Sequence, residues 1–132
     1  MAFSQEPLIV SMPAGTTFPS TALYKFVVVD TDGSVIDPNT TGNVLPFGVL
    51  YGVTKTTSTD KEAVPIAIAG VVKVQANAST LSKGNFVGAS TDGYAVAPTS
   101  DAYVFGVCIE GTSGAVGRIV TVAVQRGPLN TP

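Results

Sequence analysis

The chain has 132 residues, a formal charge of −2, no His and one Cys; 45% of its residues are apolar and only 12% are charged. This composition excludes Ser–His and Cys–His nucleophiles, imidazole metal ligands, a zinc site built from several thiols, and an internal disulfide. The chain also lacks the excess of basic residues that nucleic-acid binding needs, and its sequence contains no apolar run long enough to span a membrane. Abundant β-branched residues, with 14 Gly and 9 Pro, predict a compact all-β domain, and the sparse charge favours a surface partly buried against other chains.

The N-terminal region is punctuated by Pro7, Pro13 and Pro19 and carries no basic residue before Met12. We therefore expect an extended arm over residues 1–19 and no secretory signal. A single all-β domain is predicted over residues 20–127, followed by a tail at 128–132.

The first hairpin is predicted from an apolar strand at 26–29, an Asp32-Gly33 turn and a returning strand at 34–36. Pro38 ends this pairing because proline lacks a backbone donor. Further strands are expected at 44–53 and 66–69, on either side of a polar loop at 55–62.

The second half of the chain repeats this pattern. Four short motifs of the first half recur in the same order in the second half. They are Phe26-Val27 and Phe86-Val87, Thr31-Asp32-Gly33 and Thr91-Asp92-Gly93, Pro38 and Pro98, and Phe47-Gly48-Val49 and Phe105-Gly106-Val107. Lys25 matches Lys83 if Gly84 and Asn85 are an insertion. The halves are predicted at 12–70 and 71–127, with a linking strand at 70–75, strands at 103–109 and 120–124, and one helical turn at 79–84.

The fold class predicted from this duplication is all-β. Each half is too small to bury its faces alone, so we expect both halves to build one small barrel or sandwich. At most one short helical turn and the extended N-terminal arm accompany it.

Several residue groups resemble fragments of functional motifs. Asp30, Asp32 and Asp37 beside Gly33 resemble part of a calcium loop, but Asn39 stands where that loop needs Glu, which favours a simple hairpin turn. The glycines at 111, 114 and 117 lack the Lys-Ser/Thr of a phosphate loop.

Possible nucleophiles have no base implied by their spacing. They are Ser82 beside Lys83, and Ser113, while Cys108 lies in an apolar strand and is expected to be a small buried hydrophobe. The sequence therefore predicts no catalytic residue, no metal site and no cofactor.

The duplicated order of motifs resembles the bacteriophage capsid cement, or head decoration, proteins. The matching positions are Lys25 to Pro38, Phe47 to Val49 and Ile66 to Gly70, then Lys83 to Pro98, Phe105 to Val107 and Val120 to Gly127. This resemblance implies a structural protein that is made in the host cytoplasm and docks on the outside of the assembled head. There it would bridge capsomers of the major capsid protein as a homotrimer, without contacting nucleic acid or membrane.

We expect the apolar residues of the arm to contact the shell. These candidates are Phe3, Leu8, Ile9, Val10, Met12 and Phe18. The alternative function is a head-fibre or tail-associated module that binds a host-surface glycan through an aromatic platform. Its candidate residues are Tyr24, Tyr51, Tyr94 and Tyr103.

Overall fold

The computed structural model describes residues 7–38, 46–53, 62–77, 81–98, 103–111 and 116–128. These residues form ten strands and one short 3-10 turn, Ser20–Ala22. The strands are β1 Leu8–Pro13, β2 Phe26–Val29, β3 Val35–Ile36, β4 Gly48–Leu50, β5 Ala63–Ala69, β6 Val71–Gln75, β7 Phe86–Ala89, β8 Ala95–Val96, β9 Tyr103–Glu110 and β10 Ile119–Pro128. No helix in the described ranges is long and apolar enough to cross a membrane.

The strands form two five-stranded antiparallel sheets with the same topology. The first has the order β1-β5-β4-β2-β3 and the second β6-β10-β9-β7-β8. We call Leu8–Ala69 the first repeat and Val71–Pro128 the second repeat. The predicted all-β fold of two duplicated, hairpin-rich halves is confirmed.

The segment expected to be an arm belongs, from Leu8 to Pro13, to the first sheet. It pairs with β5 as β6 pairs with β10. Val10 and Met12 pack against the apolar core from alternate positions of β1, which ties this strand to its own chain. Residues 1–6 lie outside the described residues, as does the predicted polar loop except for its last residue, Glu62.

Each sheet curls until its two edges meet. Ala14, just after β1, forms a parallel bridge with Val35 of β3, and Ala76 forms the equivalent bridge with Ala95. Each repeat therefore encloses apolar side chains within its own sheet.

The inward-facing positions of the two repeats correspond one to one. The strand registers align these buried pairs: Ala14 with Ala76, Val27 with Val87, Val35 with Ala95, Leu50 with Cys108, Val64 with Val120, and Ile66 with Val122. Cys108 thus occupies a leucine position, which confirms that it is a buried hydrophobe. Burial raises the pKa of its thiol above the ordinary value.

The residues directly before β2 and β7 correspond without an insertion. The Tyr24 N–H donates to the Leu50 oxygen at 2.8 Å, and the Gly84 N–H donates to the Cys108 oxygen at 2.7 Å. Tyr24 is equivalent to Gly84, and Lys25 is equivalent to Asn85, so the predicted match of Lys25 with Lys83 is wrong.

A left-handed backbone is common to both of these loops. The φ angle is 69° at Tyr24 and 88° at Gly84. Tyrosine tolerates this conformation poorly, and packing of the Tyr24 side chain against the apolar cluster that contains the core of the second repeat offsets that cost.

The helical turn predicted at 79–84 is absent from the described part of that segment. Residues 81–85 form a bridge and a turn. The 3-10 turn instead occupies the corresponding loop of the first repeat, at Ser20–Ala22. A capping residue and a glycine therefore indicated a reversal of the chain here and not a helix.

The repeated Phe-Gly-Val motif has a packing cause. A Cβ at Gly48 would lie 2.6 Å from the Ala67 oxygen, and a Cβ at Gly106 would collide with the equivalent oxygen of Ala123. Only glycine lets the fourth and fifth strands of each repeat approach this closely.

We expect Gly106→Ala to destabilise the fold by about 3 kcal/mol, because the new methyl group forces β9 away from β10. Gly84→Ala is the matched control, since open space surrounds its Cβ position and only the left-handed backbone is strained. It should cost about 1 kcal/mol. Urea denaturation measures both, and an equal loss for the two variants would contradict the close-approach explanation.

Candidate interaction surfaces

One row of side chains crosses the first sheet on its outer face. Phe26 is paired with Val49, Val49 with Ala67, and Ala67 with Ile9. Directly opposed residues project to the same face of a sheet, and these alternate with the inward-facing core positions. We call these four residues the outer row of the first repeat.

The second repeat covers most of this outer row. Phe26, Val49 and Ala67 are fully buried in the apolar cluster that contains the core of the second repeat. The ring of Phe26 meets the ring of Phe105 edge to face, with 4.8 Å between centroids. The outer row of the first repeat therefore belongs to the same apolar cluster as the core of the second repeat, while the inward-facing residues of the first repeat form a separate cluster.

Backbone hydrogen bonds fasten the repeats at the same place. The Phe26 N–H donates to the Gly93 oxygen at 2.8 Å, and the Gln75 N–H donates to the Tyr24 oxygen at 2.7 Å. The ammonium of Lys25 lies 4.5 Å from the ring centroid of Tyr94. This combination of ring, cation and backbone contacts fixes the orientation of the two sheets.

Side chains add further connections near Tyr24. The Gln75 amide donates to the Thr21 oxygen at 2.9 Å and to the Leu23 oxygen at 2.5 Å. The rings of Tyr24 and Tyr51 meet edge to face at 5.2 Å. The Lys73 N–H donates to the Tyr51 hydroxyl at 2.7 Å, across the boundary between the repeats. Burial is the main reason that the pKa of Tyr51 lies above its ordinary value.

Arg126 connects the last strand to the first repeat. Its guanidinium donates to the Pro46 oxygen at 2.8 Å, to the Phe47 oxygen, and to the Ile68 oxygen at 3.2 Å. It also lies over the ring of Phe105 at 5.0 Å. Desolvation lowers the pKa of this guanidinium, which remains protonated. The planar fork binds three carbonyls, which lie just before β4 and near the end of β5.

The equivalent row on the second repeat lacks such a cover. It consists of Phe86, Val107, Ala123 and Val71, again in direct register. Phe86 is 52% exposed, whereas its equivalent Phe26 is 0% exposed. We call these four residues the outer row of the second repeat. Phe86 is exposed, and Val107, Ala123 and Val71 are partly buried.

A cavity opens on the first repeat beside Arg126. Its volume is about 510 Å³, and Val28, Val29, Pro46, Phe47 and Arg126 line it. Val29 is exposed and Phe47 is partly buried. This is a second mainly apolar surface within the described residues.

The predicted shell-contact residues divide between surface and core. Leu8 and Ile9 are exposed on β1, while Val10 and Met12 lie partly buried against the first core. Phe18 is fully buried and has no surface to offer a partner, because the loop after β1 folds back over the core. Phe3 lies outside the described residues.

The tyrosines do not form one exposed platform. Tyr24 and Tyr51 pack against each other, Tyr94 lies under Lys25, and Tyr103 is 38% exposed. Their separation follows from the fold, which places the first pair at the contact between the repeats.

The residues considered for chemistry have structural contacts. Asp30 accepts the Thr31 N–H, and Asp32 accepts both the N–H and the hydroxyl of Ser34, so both carboxylates hold the hairpin turn. No group of three potential metal-ligating side chains occurs in the part of the chain that the structure describes. Residues 39 and 113 lie outside that part.

Comparison with known proteins gives one informative likeness. No protein-family model matches the chain, and no curated protein matches it. Among solved structures, the head fiber gp8.5 N base of bacteriophage phi29 is similar, with a TM-score of 0.64 and 17% sequence identity. The match covers 96% of this chain and 100% of that chain. At this identity the likeness shows a common fold.

We expect Arg126→Met to lower the free energy of unfolding by about 2 kcal/mol, because it removes charged hydrogen bonds to three carbonyls and keeps an apolar stem. Arg118→Met is the matched control, because Arg118 is an exposed arginine directly before the same strand, β10. It should cost under about 0.5 kcal/mol. Urea denaturation measures both. Equal effects would show that the Arg126 contacts do not stabilise the junction of the repeats.

We expect Tyr51→Phe to reduce the loss of stability at alkaline pH. Because the folded-state pKa of Tyr51 is raised, its stabilising effect is complete below the unfolded-state pKa of about 10 and disappears as the pH rises through the folded-state pKa. At pH 8 the variant should lose about 1 kcal/mol with the Lys73 hydrogen bond. Urea midpoints at pH 8 and above pH 10 measure this difference, and identical alkaline losses in both proteins would contradict it.

Proposed function

We propose that this protein is a structural component of a phage virion that attaches to the outer surface of the head. The fold likeness to a head fiber base over almost the whole chain is the observation that carries this proposal. The duplicated motif order supports it independently, because it resembles the capsid decoration proteins. In this proposal the chain has no catalytic role.

The finer proposal is a decoration function. The protein, made in the host cytoplasm, self-associates as a homotrimer and bridges capsomers of the major capsid protein, which stabilises the shell. Several weak sites on one oligomer raise its avidity for a repetitive surface without any new contact. The low proportion of charged residues, 12%, suits surfaces that are buried in such contacts.

The edge strand β1 is the part that we propose contacts the shell. Within the described residues it pairs only with β5, and its other edge is open from Leu8 as far as Ala14, where the sheet closes on β3. Leu8 and Ile9 are 57% and 44% exposed there. An edge strand with apolar side chains can extend a sheet of a partner, with backbone hydrogen bonds for affinity and side chains for specificity.

A head-fiber base is the second candidate function, because the similar structure is itself such a base. Host-glycan recognition, which would accompany this role, has less support from the dispersed tyrosines. Cryo-EM of virions separates the two functions. A decoration protein ends at the bound domain, whereas a fiber base carries further density outward. A glycan array tests binding directly.

The proposal is tested by adding the purified protein to isolated heads that lack it. We expect saturable binding in co-sedimentation and a higher melting temperature of the heads. The double variant Leu8→Asp/Ile9→Asp should bind at least about tenfold more weakly, because it places charge on an apolar contact. Val116→Asp is the matched control at another exposed apolar residue.

The outcomes separate the parts of this proposal. Failure of the unaltered protein to bind heads would contradict the head-surface function. If the double variant binds heads as tightly as the control does, the head-surface function still stands but the role of β1 is contradicted.

A further inference from the structure

The two repeats contact each other through different surfaces. The Phe26 N–H donates to Gly93, but the reverse pair, Phe86 and Gly33, does not meet. Phe86 is 52% exposed, and nothing lies within 4 Å of a Cβ at Gly33, whereas a Cβ at Gly93 lies 3.0 Å from the Phe26 oxygen. The contact inside the chain is therefore head to tail and not two-fold symmetric.

A head-to-tail contact leaves one unused surface on each repeat. The first repeat has used its outer row, and the second has used its Gly93 turn together with Phe105. The surfaces that remain are the outer row of the second repeat, with Phe86, and the Gly33 turn of the first repeat, with the side chain of Phe47. Arg126 of the second repeat already binds the backbone oxygen of Phe47 and borders the cavity beside it. Strand register makes Phe86 equivalent to Phe26, and the Phe-Gly-Val motif makes Phe47 equivalent to Phe105.

These unused surfaces are equivalents of two surfaces that already fit each other inside the chain. The outer row of the second repeat is apolar and carries an exposed ring. The first repeat offers the cavity of about 510 Å³ lined by Phe47, Val28 and Val29, which is large enough for an aromatic side chain. The Gly33 turn carries the carboxylates of Asp30 and Asp32, which accept hydrogen bonds from Thr31 and Ser34 within the turn. The outer row of the second repeat contains no acidic residue.

We propose that a second copy of this chain docks head to tail, with the outer row of its second repeat against the Gly33 turn and the Phe47 cavity of the first copy. The occupant is a second copy because the two open surfaces are the equivalents of the two halves of the contact inside the chain. This inference rests on the self-association included in the proposed function and does not depend on binding to heads.

The contact between copies lacks some anchors of the contact within the chain. Gln75, whose N–H binds the Tyr24 oxygen, corresponds to Pro13, which has no N–H. Inside the chain Lys25 lies over the ring of Tyr94. The equivalent residues between copies are Asn85 and Ser34, so this cation–ring contact is missing there. We therefore expect the copies to associate reversibly. A head-to-tail contact closes into a ring if its rotation allows, and a homotrimer is one such ring.

Cysteine cross-linking tests the predicted pairing directly. In the internal contact, a Cβ at Gly93 lies 3.4 Å from the Lys25 Cβ, close to the separation in a disulfide. The equivalent pair between copies is Gly33 with Asn85. We expect an equimolar mixture of the single variants Asn85→Cys and Gly33→Cys to form a disulfide-linked dimer under mild oxidation, while neither variant does so alone.

The internal pair provides the positive control. Lys25→Cys/Gly93→Cys should close within one chain, and the unaltered protein should stay uncross-linked because Cys108 is buried. The proposal is overturned if this control closes and the mixture gives no dimer. It is equally overturned if Asn85→Cys cross-links to itself, which would indicate a two-fold contact.

A substitution at the exposed ring gives a second, independent test. Phe86→Ser should weaken self-association in sedimentation velocity at least about tenfold, because it removes the aromatic residue at the centre of the contact. Val116→Ser, at a residue 59% exposed outside both surfaces, should leave association unchanged. Equal effects of the two variants would contradict the proposal, and head binding by each variant is measured separately.

Discussion

The burial of the outer row of the first repeat against the second repeat is the contact on which the rest of this structure depends. Phe26, Val49 and Ala67 are fully buried in the apolar cluster that contains the core of the second repeat. Burying an aromatic or large aliphatic side chain contributes about 1.5–3 kcal/mol, so this row and Phe105 outweigh any single surface contact. The hydrogen bonds of Arg126 and Gln75 then set the orientation of sheets that apolar packing already holds together.

The duplication explains the asymmetry of the surface. Two copies of one fold that meet head to tail must each leave one contact surface unused, and these surfaces are complementary. A 52% exposed Phe86 beside a fully buried Phe26 is the consequence at equivalent positions. This asymmetry is the geometry on which the proposed docking of a second copy rests.

Much of the fold could be predicted from the sequence because its signals are local. The Asp-Gly turns, the apolar strands that flank them and the repeated Phe-Gly-Val motif identify the hairpins of both halves. The pairing of β1 could not be predicted in this way. A proline-punctuated segment at 8–13 gives no local sign of whether it pairs with its own chain. The loop before β7 likewise carried capping signals for a helix, but residues 81–85 form a turn there.

The placement of side chains at the candidate surfaces needed the tertiary structure. Phe18 and Leu8 are both apolar residues of the N-terminal region, yet one is fully buried and the other is 57% exposed. Likewise, Phe26 and Phe86 occupy identical positions of the repeat and differ only in what lies above them. Local pattern cannot encode that difference, because it arises from contacts between segments far apart in the chain.

The sequence by itself determined the all-β class, the duplication and the positions of the turns, since each depends on the conformational preferences of a few consecutive residues. Only the tertiary structure decided that each repeat curls on its own core, that the repeats meet head to tail, and which apolar row remains open. The physical reason is that burial is a property of the assembled sheets: the same phenylalanine is core or surface according to whether another sheet covers it.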